Sequence, residues 1–250
     1  MKDQRSLSLL NVRIDDVTTA EVVAQVQQWL GQPGVHQIAT VNPEFVMRAR
    51  RDAAFAAALR QSDLNVPDGI GVLLAARRLG QPLRERVAGV DLMLALCARA
   101  AQQGWPVYLL GARAGVAERT AISLQQRYTG LQIAGTYAGS PQEAERAAIV
   151  TRIRQAKPNL LFVAYGAPAQ DIWLAQNLRA IGMDAPLVGM GVGGSFDFVV
   201  GTQQRAPVWV QRMGLEWLYR LLREPRRWRR QLALPQFAAL VMLESFQRRH

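Results

Sequence analysis

Asp68, in the tetrapeptide VPDG at 66–69, is the side chain whose type and neighbours best suit proton chemistry. Its carboxylate follows a proline and precedes a glycine, in a turn that closes a short apolar run. A carboxylate so placed serves as a general base once a hydroxyl comes within hydrogen-bond reach. An Asp-Gly pair is equally a common turn former. Arg86 in ERVAG reads as a phosphate clamp or as one more surface arginine, and Gln170 in GAPAQD as a ligand contact or a first-turn helix residue. Tyr137 and Tyr165, each beside glycines, either stack a base or complete the core. Gly111 lies in LLGARAG (109–115), an apolar run followed by spaced glycines and then a helix pattern. Such a turn lets backbone N–H groups approach a nucleotide diphosphate. GMGVGGSFD (189–197) is a second glycine-rich turn, and Asp197 at its end is a further polar candidate.

Other chemistries find less support. Neither glycine turn is followed by the Gly-Lys-Ser/Thr of a P-loop, and G-x-G-x-G is not the dinucleotide fingerprint, which counts against a nicotinamide oxidoreductase. The two histidines, His36 and His250, and the single cysteine, Cys97, form no cluster with metal-ligand spacing. No Asp-x-Asp of the kind that holds a divalent ion on a sugar nucleotide occurs. His36 reads as a strand-edge residue, and Cys97, in LMLALCARAA, as a buried inert thiol. No cofactor is expected.

The elements that must position these residues alternate. Strands are predicted at VRIDD, HQIATVN, DLNVPDG, WPVYLLG, LQIAGTY, NLLFVAYG and APLVGMG, with amphipathic helices between them, one of them running unbroken through EFVMRARRDAAFAAALRQ (44–61). Near-continuous apolar strands imply a sheet covered on both faces. The expectation is an α/β fold with a Rossmann-like, mainly parallel sheet and right-handed crossovers, in which ligands gather beyond the strands' carboxyl ends. That core spans residues 1–204, with a division into two lobes near residue 100 as an option. Residues 205–250 read as a helical appendage, WVQRMGLEWLYRLL and PQFAALVMLESFQ, divided at Pro225. The appendage carries ten arginines against three glutamates, so it holds +7 of the chain's net +11. Such asymmetry suggests an anionic partner. The opening MKDQRSLSLLNVRIDD lacks the apolar core of a signal peptide, and no run reaches the ~20 apolar residues of a spanning helix. The expectation is a cytoplasmic protein, peripheral on the inner face of the membrane. Apolar helix faces beside the appendage would serve a homo-oligomer or the membrane. A nucleic-acid-binding module would explain the arginines but not the glycine turns.

Taken in order, TVNPEFVMRARRD, VPDGIGVLLAARRLG, ERVAGVDL, LLGARAGVAE, GAPAQDIW and the block GVGGSFDFVVGTQQRAPVWVQRMGLEWLYRLLREPRRWRR resemble the WecG/TagA/CpsF family of bacterial glycosyltransferases, from about residue 10 to about residue 232. The resemblance implies inverting, metal-independent transfer of a sugar from a UDP-sugar to a polyprenyl-diphosphate-linked saccharide, with an N-acetylmannosamine, N-acetylmannosaminuronic acid or glucose donor. By motif it places Thr40, Asn42, Arg86 and Gln170 in the pocket and gives Asp68 the base role, with no nucleic-acid partner. Two departures are visible: Asp171 stands where the family usually has Glu, and Ala88 where it often has Thr. In the appendage, Arg220, Arg223, Arg227 and Arg230 are the expected acceptor or membrane contacts, with Trp209, Trp217, Trp228 and Phe237 at the lipid interface.

Overall fold

The computed structural model describes residues 5–183, 185–204, 206–207, 210, 213, 216–223 and 232–247. The chain starts with an antiparallel hairpin, β1 (Ser6–Leu9) and β2 (Val12–Asp15). Its two-residue turn places both Leu10 (φ 49°) and Asn11 (φ 70°) in the left-handed region, as a tight hairpin turn requires. The first strand was not expected, because SLSL and a Leu-Asn turn carry none of the usual hairpin signals.

A six-stranded sheet follows, built from β3 (Val35–Val41), β4 (Leu64–Pro67), β5 (Val107–Gly111), β6 (Ile133–Tyr137), β7 (Leu160–Ala164) and β8 (Leu187–Gly191). Its order is β4-β3-β8-β7-β5-β6, and every pairing is parallel. The Rossmann-like α/β expectation is met, and the sheet takes strands from both sides of residue 100. The strand predicted at VRIDD lies in the hairpin rather than in this sheet.

The first three helices each begin at a side-chain cap that the sequence offers. Thr18 starts α1 (Thr19–Leu30) with a reciprocal capping box to Glu21, Asn42 caps α2 (Pro43–Ala49), and Asp52 caps α3 (Ala53–Gln61). That last cap explains why the single helix expected over 44–61 is two: the Asp52 carboxylate takes the Phe55 N–H and restarts the helix. Then come α4 (Ile70–Arg78), α5 (Gly89–Gln103), α6 (Val116–Arg127), α7 (Glu143–Ala156), α8 (Ala169–Ile181) and the short α9 (Ser195–Val199). The last of these starts inside the glycine-rich turn expected at 189–197. Helices α10 (Glu216–Arg223) and α11 (Ala233–Gln247) belong to the appendage.

Alternate strand residues feed opposite faces, as the pleat demands. Ile38, Val66, Leu109, Phe162 and Met190 join α1, α5 and α6 in one core. On the other face Leu110, Leu161 and Val163 pack with α7 and α8. Ala39 and Val41 join the hairpin, α2, α3, α4 and Phe237 and Val241 of α11. Phe237 is therefore 4% exposed, which corrects its expected place at a lipid interface: it anchors α11 to the body. Cys97 is buried, and burial pushes its thiol up to about 12, so it is inert. His36 stacks on Trp29, with ring centroids 4.2 Å apart, towards the amino end of β3.

Candidate active site

The carboxyl ends of the six strands form one row, and the sequence candidates are spread along it. At ~4.8 Å per strand the row from β4 to β6 is about 24 Å long.

At the β4–β3 end, the Asp68 N–H donates to the Val41 carbonyl and the Val87 N–H to the Pro67 carbonyl, each at 2.8 Å. The second bond sets Asp68 and Arg86 one residue to either side of a shared contact. Glycines then let three helix starts crowd together. A Cβ on Gly71 would lie 2.7 Å from Pro43 Cγ, and one on Gly89 would lie 3.2 Å from Thr40 Cγ2. Gly69, at φ +93°, turns the chain from β4 into α4. The starts of α2, α4 and α5 thus converge beside Asp68 and Arg86. Helix starts present unsatisfied N–H groups and partial positive charge. Thr40 is buried against Gly89, and Asn42 spends its Oδ1 on the Phe45 N–H at 3.0 Å. Arg86 Nη1 reaches Glu216 Oε2 of α10 at 3.4 Å, with each side chain 21% exposed.

In the middle of the row, the Gln170 carboxamide ties two loops together. Its Oε1 accepts from the Gly166 N–H at 3.1 Å and the Gly193 N–H at 2.9 Å. The amide crosses β8 only because residue 191 is glycine, since a Cβ there would meet Gln170 Nε2 at 2.6 Å. Gln170 is itself buried, so its visible work is to set the β7–α8 and β8–α9 loops. Asp171 beside it is 0% exposed. Neither carboxyl oxygen has a hydrogen-bond partner of good geometry among the described residues. Burial pushes this carboxyl up to about 7, and the neighbouring Gln170 amide offsets only part of that.

At the β5–β6 end, Gly111 (φ +99°) is required because a Cβ would lie 2.9 Å from the Ala164 carbonyl carbon. Tyr137 is half-buried, with the Arg152 guanidinium 4.7 Å from its ring centre. Tyr165 lies close by, its hydroxyl buried without a hydrogen-bond partner among the described residues and pushed up by burial, its ring edge-on to Trp173. Asp197, after β8, pairs with Arg113 at 3.0 Å and accepts from the Thr202 hydroxyl at 2.9 Å.

The structure therefore gathers Thr40, Asn42, Asp68 and Arg86 at one end, Gln170 in the middle, and Gly111 and Tyr137 at the other. Asp171, Gly89, Gly191, Arg113 and Glu216 belong to the same row and were not among the candidates. Asp171 had a visible signal, its departure from the usual Glu. The others act through packing or pairing across long sequence separations. In the appendage, Arg223 donates to Gln204 Oε1 at 3.2 Å and lies over the Tyr219 ring. Arg227, Arg230, Trp209 and Trp228 lie outside the described residues, as does the side chain of Arg220. Among the described residues no three His, Cys, Asp or Glu side chains gather as metal ligands would, and no helix is long and apolar enough to cross a membrane.

Comparison with known proteins gives a consistent result. The description "Glycosyl transferase WecG/TagA/CpsF family" covers residues 7–250. An N-acetylglucosaminyldiphosphoundecaprenol N-acetyl-beta-D-mannosaminyltransferase from Bacillus subtilis (strain 168) is 36% identical over 208 residues, 83% of this chain and 79% of its own. Proteins of the same description from Bacillus spizizenii and Staphylococcus aureus (strain MW2) are 34% and 33% identical, each over 92% of this chain and over 87% and 90% of their own.

Proposed function

The chain belongs to the WecG/TagA/CpsF glycosyl transferase family, and from that premise we propose that it transfers a sugar from a UDP-sugar to a saccharide carried on undecaprenyl diphosphate, with inversion and without a metal. The observation that carries this reading is the Val87–Pro67 bond. It ties the backbone next to Asp68 to the backbone next to Arg86 where three helix starts meet, which supports a carboxylate and a guanidinium serving one site.

The nucleoside lies over β5 and β6, where Tyr137 offers a ring face and Gly111 and Asp197 line the approach. The diphosphate crosses the glycine loops that Gln170 holds and reaches Arg86. From β5 to β3 is three strand spacings, about 14 Å, which leaves the sugar beside Thr40, Asn42 and Asp68. Asp68 takes the proton of the acceptor hydroxyl as that oxygen attacks the anomeric carbon. The new C–O bond forms on the face opposite UDP, the bond to the β-phosphate oxygen breaks, and UDP leaves with the electron pair. An α-linked donor then gives a β-linked product, which matches the β-mannosaminyl transfer in the relatives' names. Backbone N–H groups, helix starts and Arg86 receive the leaving charge, the kind of preorganised stabilisation that needs no reorganisation during reaction.

Those names make an N-acetylmannosamine donor and an N-acetylglucosaminyl-diphospholipid acceptor the first pair to test. Purified protein is incubated with each of UDP-N-acetylmannosamine, its uronic acid and UDP-glucose, plus a lipid-diphosphate acceptor analogue, in EDTA. A disaccharide product from one donor supports the reading, and none from any donor overturns it. Product formed only after divalent ions are restored overturns its metal-independent part.

The appendage takes the peripheral-membrane role in this reading. Leu243 and Phe246 of α11 are 59% and 52% exposed, and Leu74 of α4, the helix it packs on, is 58% exposed. Arg78 lies over Phe246, and Arg77 adjoins it in α4. Apolar side chains flanked by arginines suit an anionic membrane surface.

A further inference from the structure

Arg86 sits in an irregular stretch, residues 81–88, between α4 and α5. A loop with no ladder of its own would let a long cationic side chain sample many positions. The residues around it are nevertheless pinned. The Arg84 N–H donates to Asp16 Oδ1 at 2.9 Å, and Arg84 Nε to Asp16 Oδ2 at 3.1 Å. Arg84 Nη2 reaches the Asp16 carbonyl at 2.6 Å, while Nη1 and Nη2 each bond one oxygen of Glu21 at 2.7 Å. Glu85 Oε1 accepts from both the N–H and the hydroxyl of Thr19. Val87 is tied to Pro67. The neighbours of Arg86 are thus fastened to the start of α1 on one side and to the end of β4 on the other. The Arg86 side chain is left with the longer contact to Glu216 at 3.4 Å.

We propose that Arg84 is a positioning residue for donor binding: its guanidinium, gripped by Asp16 and Glu21, holds the loop so that Arg86 faces the donor diphosphate. This rests on the reading of Arg86 as the diphosphate clamp. A bidentate arginine–carboxylate pair fixes direction as well as distance, which a single lysine contact would not. Asp16 is nearly buried at 8% exposure, and Arg84 holds the Glu21 carboxyl below its usual range. Glu21 also closes the capping box of α1 through the Thr18 N–H, so brace and helix start share one carboxylate. Sequence spacing hides this arrangement, because 68 residues separate Asp16 from Arg84.

The test separates diphosphate recognition from nucleoside recognition. UDP and uridine are each titrated as competitive inhibitors against Arg84→Gln, Glu21→Gln, Arg86→Gln and the Arg84→Gln/Arg86→Gln pair. Glu21→Gln keeps the capping hydrogen bond, which Gln supports as well as Glu, and loses the ion pair, so it stands in should Arg84→Gln fold poorly. Arg84→Gln and Glu21→Gln are expected to weaken UDP about tenfold while leaving uridine unchanged, short of the ~10²-fold that a 1 Å misplacement can cost. The pair should match Arg86→Gln alone. If Arg86→Gln leaves UDP binding intact, the clamp reading fails. If Arg86→Gln weakens UDP while Arg84→Gln and Glu21→Gln do not, or if the Arg84 effect persists in full without Arg86, the brace is overturned.

Discussion

Replacing Asp171 by asparagine tests how this protein carries a carboxyl group in its interior. The side chain is 0% exposed and lacks hydrogen-bond partners of good geometry among the described residues. Burial raises its pKa from 3.8 to about 7. The unfolded chain releases this proton near 3.8, whereas the folded chain keeps it until about 7. Between those values the folded state binds more protons than the unfolded state, so stability falls as pH rises. The contribution is fully present below the unfolded pKa and is lost as pH climbs through the folded one. Above about pH 7 the loss levels off.

Asparagine has nearly the same shape and no proton to lose, so the variant removes this slope and little else. Of the interval from pH 5 to pH 8, two units lie inside the window, and at ~1.4 kcal/mol per unit the variant should gain about 3 kcal/mol relative to the parent. Urea unfolding of both proteins at pH 5, 6, 7 and 8, read by tryptophan fluorescence, measures the difference. A gap that grows up to pH 7 and then levels supports the argument. A gap that is flat with pH, or that moves against the variant, refutes it. The carboxyl would then find partners in solution that keep its pKa ordinary.

Further outcomes follow from single contacts. Asp68→Asn, folded as judged by its melting curve, should lose ~10²–10⁴-fold in turnover, the range of general-base contributions, with donor binding retained; wild-type turnover removes the base assignment. Gln170→Leu strands the Gly166 and Gly193 N–H groups that its oxygen serves, at about 1–3 kcal/mol for each group left buried, so urea unfolding should register the loss and UDP binding should weaken. Gly111→Ala combines a left-handed alanine with a 2.9 Å approach of its Cβ to Ala164, and should lower both the melting temperature and nucleotide affinity. Leu243→Glu with Phe246→Glu should release the protein from anionic vesicles in flotation while leaving its melting curve in place; unchanged flotation removes α11 from the membrane face. Cutting the chain at residue 204 is a poorer test of docking, because it also removes Phe237 and Val241 from the core.

What could be read from the sequence, and what could not, divides on locality. The β3–β8 strands announce themselves through apolar runs such as LLFVA and VYLLG, because a strand covered on both faces has no polar side to show. The glycine turns at their ends are legible too, since positive φ at Gly69 and Gly111 is a demand the chain makes on one residue at a time. Arg84, by contrast, looks in sequence like any arginine in a basic protein. Its meaning comes from Asp16 and Glu21, which only the folded chain brings to it. Phe237 was misplaced for the same reason: an aromatic in a basic amphipathic helix fits a lipid surface and a core face equally well, and the hairpin and α2–α4 cluster that covers it is assembled from distant segments. Asp171 is the instructive middle case. Its identity is plain, but nothing local says that the position is sealed, and a sealed carboxyl has a different proton affinity from an exposed one. The chemistry that a motif suggests is thus set by a second tier of residues that motifs omit. In this chain that tier includes the Arg84 brace, the Gln170 tie and the buried Asp171, and substitutions there, more than in the quoted motifs, should decide how firmly the donor is held.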